Sequence, residues 1–80
     1  MKKEPEELAK ILADCPVRLG SIWNHIKSNR SYIVMSVCLR EEDLEVLVVY
    51  TSVEYMELGL LIPWARPWRE FVQRFLEVME

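Results

Sequence analysis

The sequence predicts a small α+β domain, mainly β, in which an antiparallel sheet is flanked by a helix at each end of the chain. Apolar residues alternate over residues 31–39, a β-branched and aromatic run follows over residues 44–51, and both ends of the chain carry apolar residues at helical spacing. Alternation with a period of two is typical of strands, and apolar positions at i, i+3, i+4 and i+7 are typical of helices. Eighty residues suit one domain. We expect an N-terminal helical arm (1–16), a β-meander (17–66) and a C-terminal helix (67–80).

The N-terminal helix is predicted to run from Pro5 to Asp14. Pro5 suits a first helical turn, where its missing N–H costs no hydrogen bond, and the residue before Pro16 is biased away from helical geometry. The apolar residues between these limits form one helical stripe: Leu8, Ile11, Leu12 and Cys15. This stripe must pack on the sheet or on a second subunit.

The first strand is predicted over Ser21 to Lys27, where the apolar positions fit an extended segment better than a helix. Residues 28–30 form a short polar turn of the kind that joins antiparallel neighbours. In an extended strand, Trp23, His25 and Lys27 point to the same side. Because this side carries His25 and Lys27, we predict that it is not a core face.

The central hairpin is the element that the rest of the chain must cover. Its first strand has apolar residues at every second position, predicted to share one buried face: Ile33, Met35, Val37 and Leu39. After a charged break at residues 40–43, the run over 44–51 lacks Gly and Pro, which predicts a second, largely buried strand. Two strands alone are only marginally stable in water, so further elements must pack on them.

The rest of the chain continues the meander and then becomes helical. Residues 52–57 fit either a strand edge or a loop, whereas Leu58 to Ile62 is apolar throughout and ends before Pro63, which predicts a fourth strand. The C-terminal helix is predicted to begin at Pro67 and to reach the last residues. Its apolar positions recur at helical spacing: Trp68, Phe71, Val72, Phe75, Leu76 and Met79.

The composition limits the partners of the chain. Ten Lys and Arg against 13 Asp and Glu give a net charge of −3, so no overall positive field attracts nucleic acid or an anionic membrane. No apolar run approaches the roughly 18 residues that span a bilayer. A hydrophobic fraction of 51% predicts leftover apolar surface and hence a homo-oligomer. Two cysteines without a signal peptide indicate reduced thiols and a cytoplasmic protein.

Signatures of enzymes and cofactor sites are missing from the sequence. Gly20 and Gly59 are its only glycines, and neither belongs to a phosphate-binding loop. His25, Cys15 and Cys38 are too few and too scattered to argue for zinc. The strand spacing explains Cys38 as a small buried hydrophobe better than as a nucleophile activated by His25. We therefore expect a protein that is not an enzyme and has no metal or cofactor.

The remaining candidates are residues with polar tips that a minimal core would not need. Aromatic rings can stack on a base, Arg can bind a phosphate through two hydrogen bonds, and His and Tyr can complete the hydrogen bonding. Together these residue types fit a planar anionic ligand. The predicted ligand-binding residues are Trp23, His25, Lys27, Tyr32, Tyr50, Trp64 and Arg66. In the alternative interpretation, Trp64 and Tyr50 are core residues whose polar atoms are capped, and Arg66 pairs with one of the acidic residues.

Four short motifs support a family resemblance. They are Gly20-x-x-Trp23-x-His25-x-Lys27, Tyr32-x-Val34, Glu45-x-Leu47-Val48-Val49-Tyr50 and Trp64-x-Arg66-Pro67-x-x-x-Phe71. In this order and spacing, over residues 20–71, the chain resembles the small bacterial and phage domain of unknown function 1653. It departs from that pattern at Trp23, where the family usually has Tyr, and at Ser28, which replaces a turn Gly. The segment between Tyr50 and Trp64 is also longer and lacks the Gly-Asp turn of the family. The resemblance implies a compact SH3-like β-barrel or a strongly bent sheet, and no established activity.

These observations predict a small binding protein. The leading hypothesis is capture of a nucleotide-derived anionic small molecule. Trp23, Tyr32 or Tyr50 would stack on the base, Lys27 and Arg66 would bind the phosphates, and His25 would form a hydrogen bond. If the chain is phage-encoded, analogy suggests a sponge for a host-defence signalling nucleotide. The alternative is a protein-binding inhibitor or adaptor that uses the apolar helical stripes, Trp68 and the acidic residues 41–45. An RNA-binding barrel ranks third, because the net charge opposes it.

Overall fold

A computed structural model describes residues 3–79 of the chain as one antiparallel sheet with three short helices. The elements are α1 (Pro5–Ala13), β1 (Ile22–His25), β2 (Ser31–Leu39), β3 (Val46–Ser52), α2 (Val53–Glu57), β4 (Trp64–Pro67), α3 (Trp68–Arg74) and β5 (Phe75–Glu77). The five strands lie in the order β4-β3-β2-β1-β5, and the edge strands β4 and β5 do not meet. The predicted α+β, mainly β class is confirmed, as an open sheet and not as a closed barrel.

The first two hairpins of the sheet use the same loop geometry, over residues 25–30 and residues 40–45. In each loop the N–H of the fifth residue donates to the carbonyl of the first, at 2.7 and 2.8 Å. The N–H of the first residue donates to the carbonyl of the sixth, at 2.8 and 2.9 Å. The fifth residue has a left-handed backbone in both loops, with φ of 59° at Asn29 and 58° at Leu44. Asn tolerates this conformation, whereas Leu adopts it at a steric cost.

A bulge at Met35 shifts the alternation of β2 by one residue. Val34 and Ser36 pair with consecutive residues of β3, so Met35 has no residue opposite it. Val34 lies on the core face before the bulge, and Val37 packs against the core after it. The single buried face predicted for this strand is therefore wrong, because Ile33 and Met35 do not share the face of Val37. The predicted burial of the following strand is confirmed along β3.

The core lies on one face of the sheet, beneath α3. It consists of Val17, Trp23, Val34, Val48, Tyr50, Phe71 and Phe75. Phe71 is completely buried and its ring stacks on Phe75, with ring centroids 4.3 Å apart and an interplanar angle of 14°. Trp23 meets Phe71 edge to face at 5.0 Å. The prediction that this face of β1 is not a core face is therefore wrong, since Trp23 points directly into the core.

The C-terminal helix ends earlier than predicted. α3 stops at Arg74, and β5 then pairs antiparallel with β1, with Phe75 opposite His25. The Ile26 N–H donates to the Arg74 carbonyl at 3.0 Å, and the Val78 N–H donates to the Ile22 carbonyl at 2.8 Å. These bonds occupy the edge of β1 that would otherwise be unpaired, which is why the strand replaces the last helical turns. Residue 80 of the predicted helix lies outside the described residues.

The segment between β3 and β4 differs from the strand edge or loop predicted for residues 52–57 and from the strand predicted for Leu58 to Ile62. Residues 53–57 form the helix α2, which begins where the Tyr55 N–H donates to the Ser52 hydroxyl at 3.3 Å. Gly59, with φ of 80°, ends the helix, and the Leu60 N–H donates to the Tyr55 carbonyl at 2.9 Å. Residues 58–62 are not a strand but an exposed connection, anchored by the Thr51 hydroxyl, which donates to the Ile62 carbonyl at 2.9 Å.

The N-terminal elements are close to those expected. The predicted helix is confirmed as α1 and ends one residue early, at Ala13. The predicted strand over Ser21 to Lys27 is confirmed only for its central residues, since β1 ends at His25. The apolar stripe of α1 is half-buried, and α1 lies against β2. No helix within residues 3–79 has the length and apolar character that crossing a membrane requires.

Candidate functional site

A recess of about 230 Å³ crosses one end of the sheet on the side that carries the core. Each of the five strands contributes to its wall. The lining residues are His25, Tyr32, Tyr50, Trp64, Arg66 and Phe75. Five of these six belong to the set that the sequence predicted as ligand-binding, so residues far apart in the chain converge on one concave surface.

The strand register explains this convergence. Tyr50 pairs with Trp64 across β3 and β4, so the two side chains leave the sheet on the same face. Arg66 follows two residues after Trp64 and therefore shares this face. On the other side of the recess, Phe75 of β5 pairs with His25 of β1. The site is consequently a property of the whole sheet and not of one loop.

The inner wall of the recess is a cluster of rings packed edge to face. Tyr32 meets Tyr50 with centroids 5.5 Å apart and an angle of 83°, and it meets Phe75 at the same distance and 87°. His25 contacts Phe75 at 4.9 Å. Such arrangements place the positive edge of one ring against the negative face of the next. The wall is therefore held in shape by contacts that exist without a ligand.

Arg66 is the cationic residue of the recess, and the protein fixes its position. Its Nε donates to the Tyr50 hydroxyl at 3.2 Å, and its Nη1 donates to Glu70 Oε1 at 2.8 Å. The hydrogen bond to Tyr50 raises the pKa of Arg66 above its ordinary value, and the charge of Glu70 adds to this effect. Of the five guanidinium N–H groups, the structure of residues 3–79 gives partners to two. The others can donate to a ligand.

His25 provides a hydrogen-bonding group at the opposite side of the recess. The Ser28 N–H donates to His25 Nδ1 at 3.2 Å, and the Ser28 hydroxyl lies 2.8 Å from the same nitrogen. Since a backbone N–H can only donate, Nδ1 must accept, and the ring proton of the neutral imidazole is then on Nε2. The β1–β2 turn thereby sets the tautomer of a residue that lines the recess.

Trp64 is the most exposed ring of the site. It begins the edge strand β4, and 53% of its surface is exposed. The neighbouring ring, Tyr50, is only 5% exposed, so Trp64 is the aromatic side chain of the recess with the most surface open to a ligand.

Two of the predicted ligand-binding residues do not line the recess. Trp23 is 8% exposed, its ring packs on Phe71, and its Nε1 donates to the Ser21 hydroxyl at 2.8 Å. The polar atom of Trp23 is thus satisfied inside the fold. Lys27 lies in the β1–β2 turn, because β1 ends at His25 and the alternation that placed Lys27 beside it stops there.

Phe75 was missed as a site residue by sequence reasoning. Its spacing from Phe71 fits a continuing helix, and nothing in the residue type distinguishes a wall position from a core position. Only its pairing with His25 across β5 and β1 places it in the recess.

A metal centre is not visible in the part of the chain that the structure describes. No cluster of three or more His, Cys, Asp or Glu side chains within residues 3–79 is arranged to hold an ion.

Comparisons with family models, with curated proteins and with solved structures find no match to this chain.

Proposed function

We propose that this protein is a non-enzymatic binding protein that captures a nucleotide-derived anionic small molecule in the recess. The observation that carries the proposal is the placement of Arg66 and Trp64 on one face of β4, beside a wall of packed rings. A fixed guanidinium beside an exposed indole offers one group for a phosphate and one for a base. The resemblance to the domain of unknown function 1653 is compatible with this role and belongs to the proposal.

Each lining residue has a role in this proposal. Trp64 stacks on the base, and the free N–H groups of Arg66 bind phosphate oxygens in a charge-assisted, bidentate manner. His25 donates from Nε2 to a carbonyl or hydroxyl of the ligand. A volume of about 230 Å³ is below the range of about 300–1,000 Å³ that is usual for drug-sized ligands. The recess of one chain therefore suits a base with a single phosphate.

Capture without turnover fits the chemistry of the recess. It combines one guanidinium, one imidazole and several rings, and neither a Ser or Cys side chain nor a carboxylate is among its lining residues. For a phage-encoded chain, the corresponding role is a sponge for a host-defence signalling nucleotide. The two free cysteines, Cys15 and Cys38, support action in the reducing cytoplasm.

The proposal also includes a homo-oligomer. Several large apolar side chains of the connection after α2 are exposed: Leu58 at 70%, Leu60 at 51% and Leu61 at 60%. An apolar surface of this kind on a small domain usually contacts another molecule. Because the connection leads directly into Trp64, a second copy seated there would lie next to the recess.

Thermal shift with a panel of linear and cyclic nucleotides tests the proposal. Ligand binding to the folded state should raise the melting temperature by several degrees when the ligand exceeds its Kd about a hundredfold. Trp64→Ala and Arg66→Gln should remove this shift and keep the fold. Arg18→Gln is the matched control, since Arg18 is exposed and contributes only its carbonyl to the neighbouring turn. The absence of any shift across the panel would contradict the proposal.

A second candidate function is that of a protein-binding inhibitor or adaptor. The exposed leucines of residues 58–61 favour it, together with Glu54 and Glu57 on the adjoining helix α2. Such a surface would place apolar contacts beside acidic ones. Leu58→Ser combined with Leu61→Ser should then abolish partner binding and leave nucleotide-induced shifts unchanged. Loss of both partner binding and the nucleotide-induced shift would show that Leu58 and Leu61 support the fold and do not form a contact surface.

A further inference from the structure

Glu70 is shared by two arginines at the rim of the recess. Its Oε1 accepts from Arg66 Nη1 at 2.8 Å and from Arg74 Nε at 3.2 Å. Glu70 and Arg74 are four residues apart on α3 and therefore share one face of the helix, whereas Arg66 lies on β4, just before the helix begins. Of the two arginines, only Arg66 lines the recess, whereas Arg74 is more exposed, at 56% against 29% of the side chain.

We propose that Glu70 is a built-in competitor for the ligand: the single phosphate of a nucleotide displaces the Glu70 carboxylate from Arg66, and Arg74 retains the displaced carboxylate. This inference rests on the proposed function and adds a mechanism by which the site selects its ligand. Glu70 is not a binding residue in this mechanism, because it is the anion that must leave.

The contacts of Arg66 make such an exchange possible. Tyr50 holds the guanidinium through Nε, independently of Glu70. Arg66 therefore stays in position when the carboxylate moves away. The Glu70 side chain is 42% exposed, so it has room to rotate toward Arg74 without disturbing the core.

The charges at the rim explain why an exchange is needed. A phosphate that approached Arg66 with Glu70 in place would meet a carboxylate on the same guanidinium, and like charges at such short distances repel. Arg74 lowers this cost, because it neutralises Glu70 after displacement. A nucleoside, which has no phosphate, would enter the recess without displacing Glu70. The charge of Glu70 should therefore affect the binding of nucleotides and not the binding of nucleosides.

Isothermal titration calorimetry with adenosine monophosphate and adenosine tests the exchange. Glu70→Gln keeps the shape of the side chain and removes its charge. We expect it to tighten adenosine monophosphate binding by about fivefold, the factor that corresponds to roughly 1 kcal/mol, and to leave adenosine binding unchanged. Glu41→Gln is the matched control, since it removes the same charge in the β2–β3 loop, at the other end of the sheet.

Two results would overturn the inference, and a different one would overturn the proposed function. Unchanged or weaker nucleotide binding by Glu70→Gln would show that Glu70 positions Arg66 or supports the fold. Equal tightening of adenosine and adenosine monophosphate would show an effect unrelated to phosphate. No binding of either compound by the unmodified protein and by Glu70→Gln would contradict the nucleotide site itself.

Arg74 provides an independent check of the same exchange. Arg74→Gln should weaken adenosine monophosphate binding by about threefold, because the displaced carboxylate loses its second partner. In a Glu70→Gln background the same change should have a clearly smaller effect. An equal loss in both backgrounds would mean that Arg74 attracts the phosphate directly, and it would overturn the role assigned to Glu70. Melting temperatures of all variants verify that each is folded.

Discussion

Arg66 Nε donates to the Tyr50 hydroxyl at 3.2 Å, between adjacent strands on one face of the sheet. Tyr50 is buried, and its ring contacts Phe71 at 5.2 Å and Phe75 at 5.2 Å. The cation of the recess is therefore anchored to the centre of the core. This relationship makes the orientation of Arg66 a consequence of the same packing that stabilises the sheet.

Tyr50→Phe should separate the orientation of Arg66 from the packing of the ring. The ring contacts remain, so we expect the free energy of unfolding to fall by only about 0.5–1.5 kcal/mol for the lost hydrogen bond. Nucleotide binding should weaken as well, because Arg66 loses one of its two anchors. Chemical denaturation and thermal shift measure the two effects. Tyr55→Phe, on α2 and outside the recess, should change neither.

Phe71→Ala should be among the most destabilising substitutions in the chain. Phe71 is completely buried and is the residue of α3 that closes the core. We expect a loss of about 3–5 kcal/mol in the free energy of unfolding, from lost burial and from the cavity that remains. Leu76→Ala, at a position that is 63% exposed, should cost much less. Similar losses of unfolding free energy for Phe71→Ala and Leu76→Ala would contradict the assignment of Phe71 to the core.

Leu44→Asn should stabilise the protein. Leu44 occupies the left-handed position of the β2–β3 loop, and the equivalent position of the β1–β2 loop is Asn29. A left-handed conformation costs a residue with a bulky side chain roughly 1 kcal/mol relative to Asn. Urea denaturation should show a gain of that order for Leu44→Asn and a loss for Asn29→Leu. A loss for Leu44→Asn would mean that the half-buried leucine side chain contributes more than the backbone strain costs.

The ion pair in the β2–β3 loop should make the stability of the protein depend on pH. Arg40 donates to both carboxylate oxygens of Asp43, at 3.0 and 2.8 Å, and the Glu45 N–H donates to one of them. These hydrogen bonds lower the pKa of Asp43 to about 2, and the bond from Arg40 makes the largest contribution. Because the folded-state pKa lies below the unfolded value, the ionised form stabilises the loop above about pH 4. This stabilisation is lost as the pH falls through 2.

A carboxyl-detected NMR titration measures this effect. The Asp43 signal should titrate near pH 2 in the unmodified protein. In Arg40→Gln the midpoint should rise toward the ordinary value of about 3.9 for Asp. A midpoint near 4 in the unmodified protein would contradict the ion pair.

Local patterns were sufficient to predict the elements whose residues interact mainly with their neighbours in sequence. The helix from Pro5 and the buried strand over residues 44–51 depend on residue type and spacing, and the structure contains both, as α1 and β3. The polar turn predicted at residues 28–30 is also present, but it begins directly after His25, two residues earlier. The convergence of Tyr32, Tyr50, Trp64 and Arg66 also agrees with the strand periods, since alternate residues of paired strands share a face.

Long-range contacts decided what the sequence could not. The bulge at Met35 depends on how β2 meets β3, and no local signal marks it. Phe75 fits a helix and a strand equally well, and the free edge of β1 selected the strand. Trp is a residue type that is common in ligand-binding sites, but Trp23 lies where α3 covers the sheet. Lys27 does not line the recess because β1 ends two residues earlier than its apolar pattern indicates.

A titration of the nitrogen-labelled protein with adenosine monophosphate, followed by two-dimensional NMR, shows whether the recess binds a nucleotide. The indole N–H signals of Trp23, Trp64 and Trp68 serve as internal controls, because only Trp64 lines the recess. We predict that the Trp64 indole and the Arg66 Nε–H signals move together and saturate, while the indole signals of Trp23 and Trp68 stay in place. Signals that do not move at millimolar nucleotide, or that move equally for all three indoles, would contradict the site.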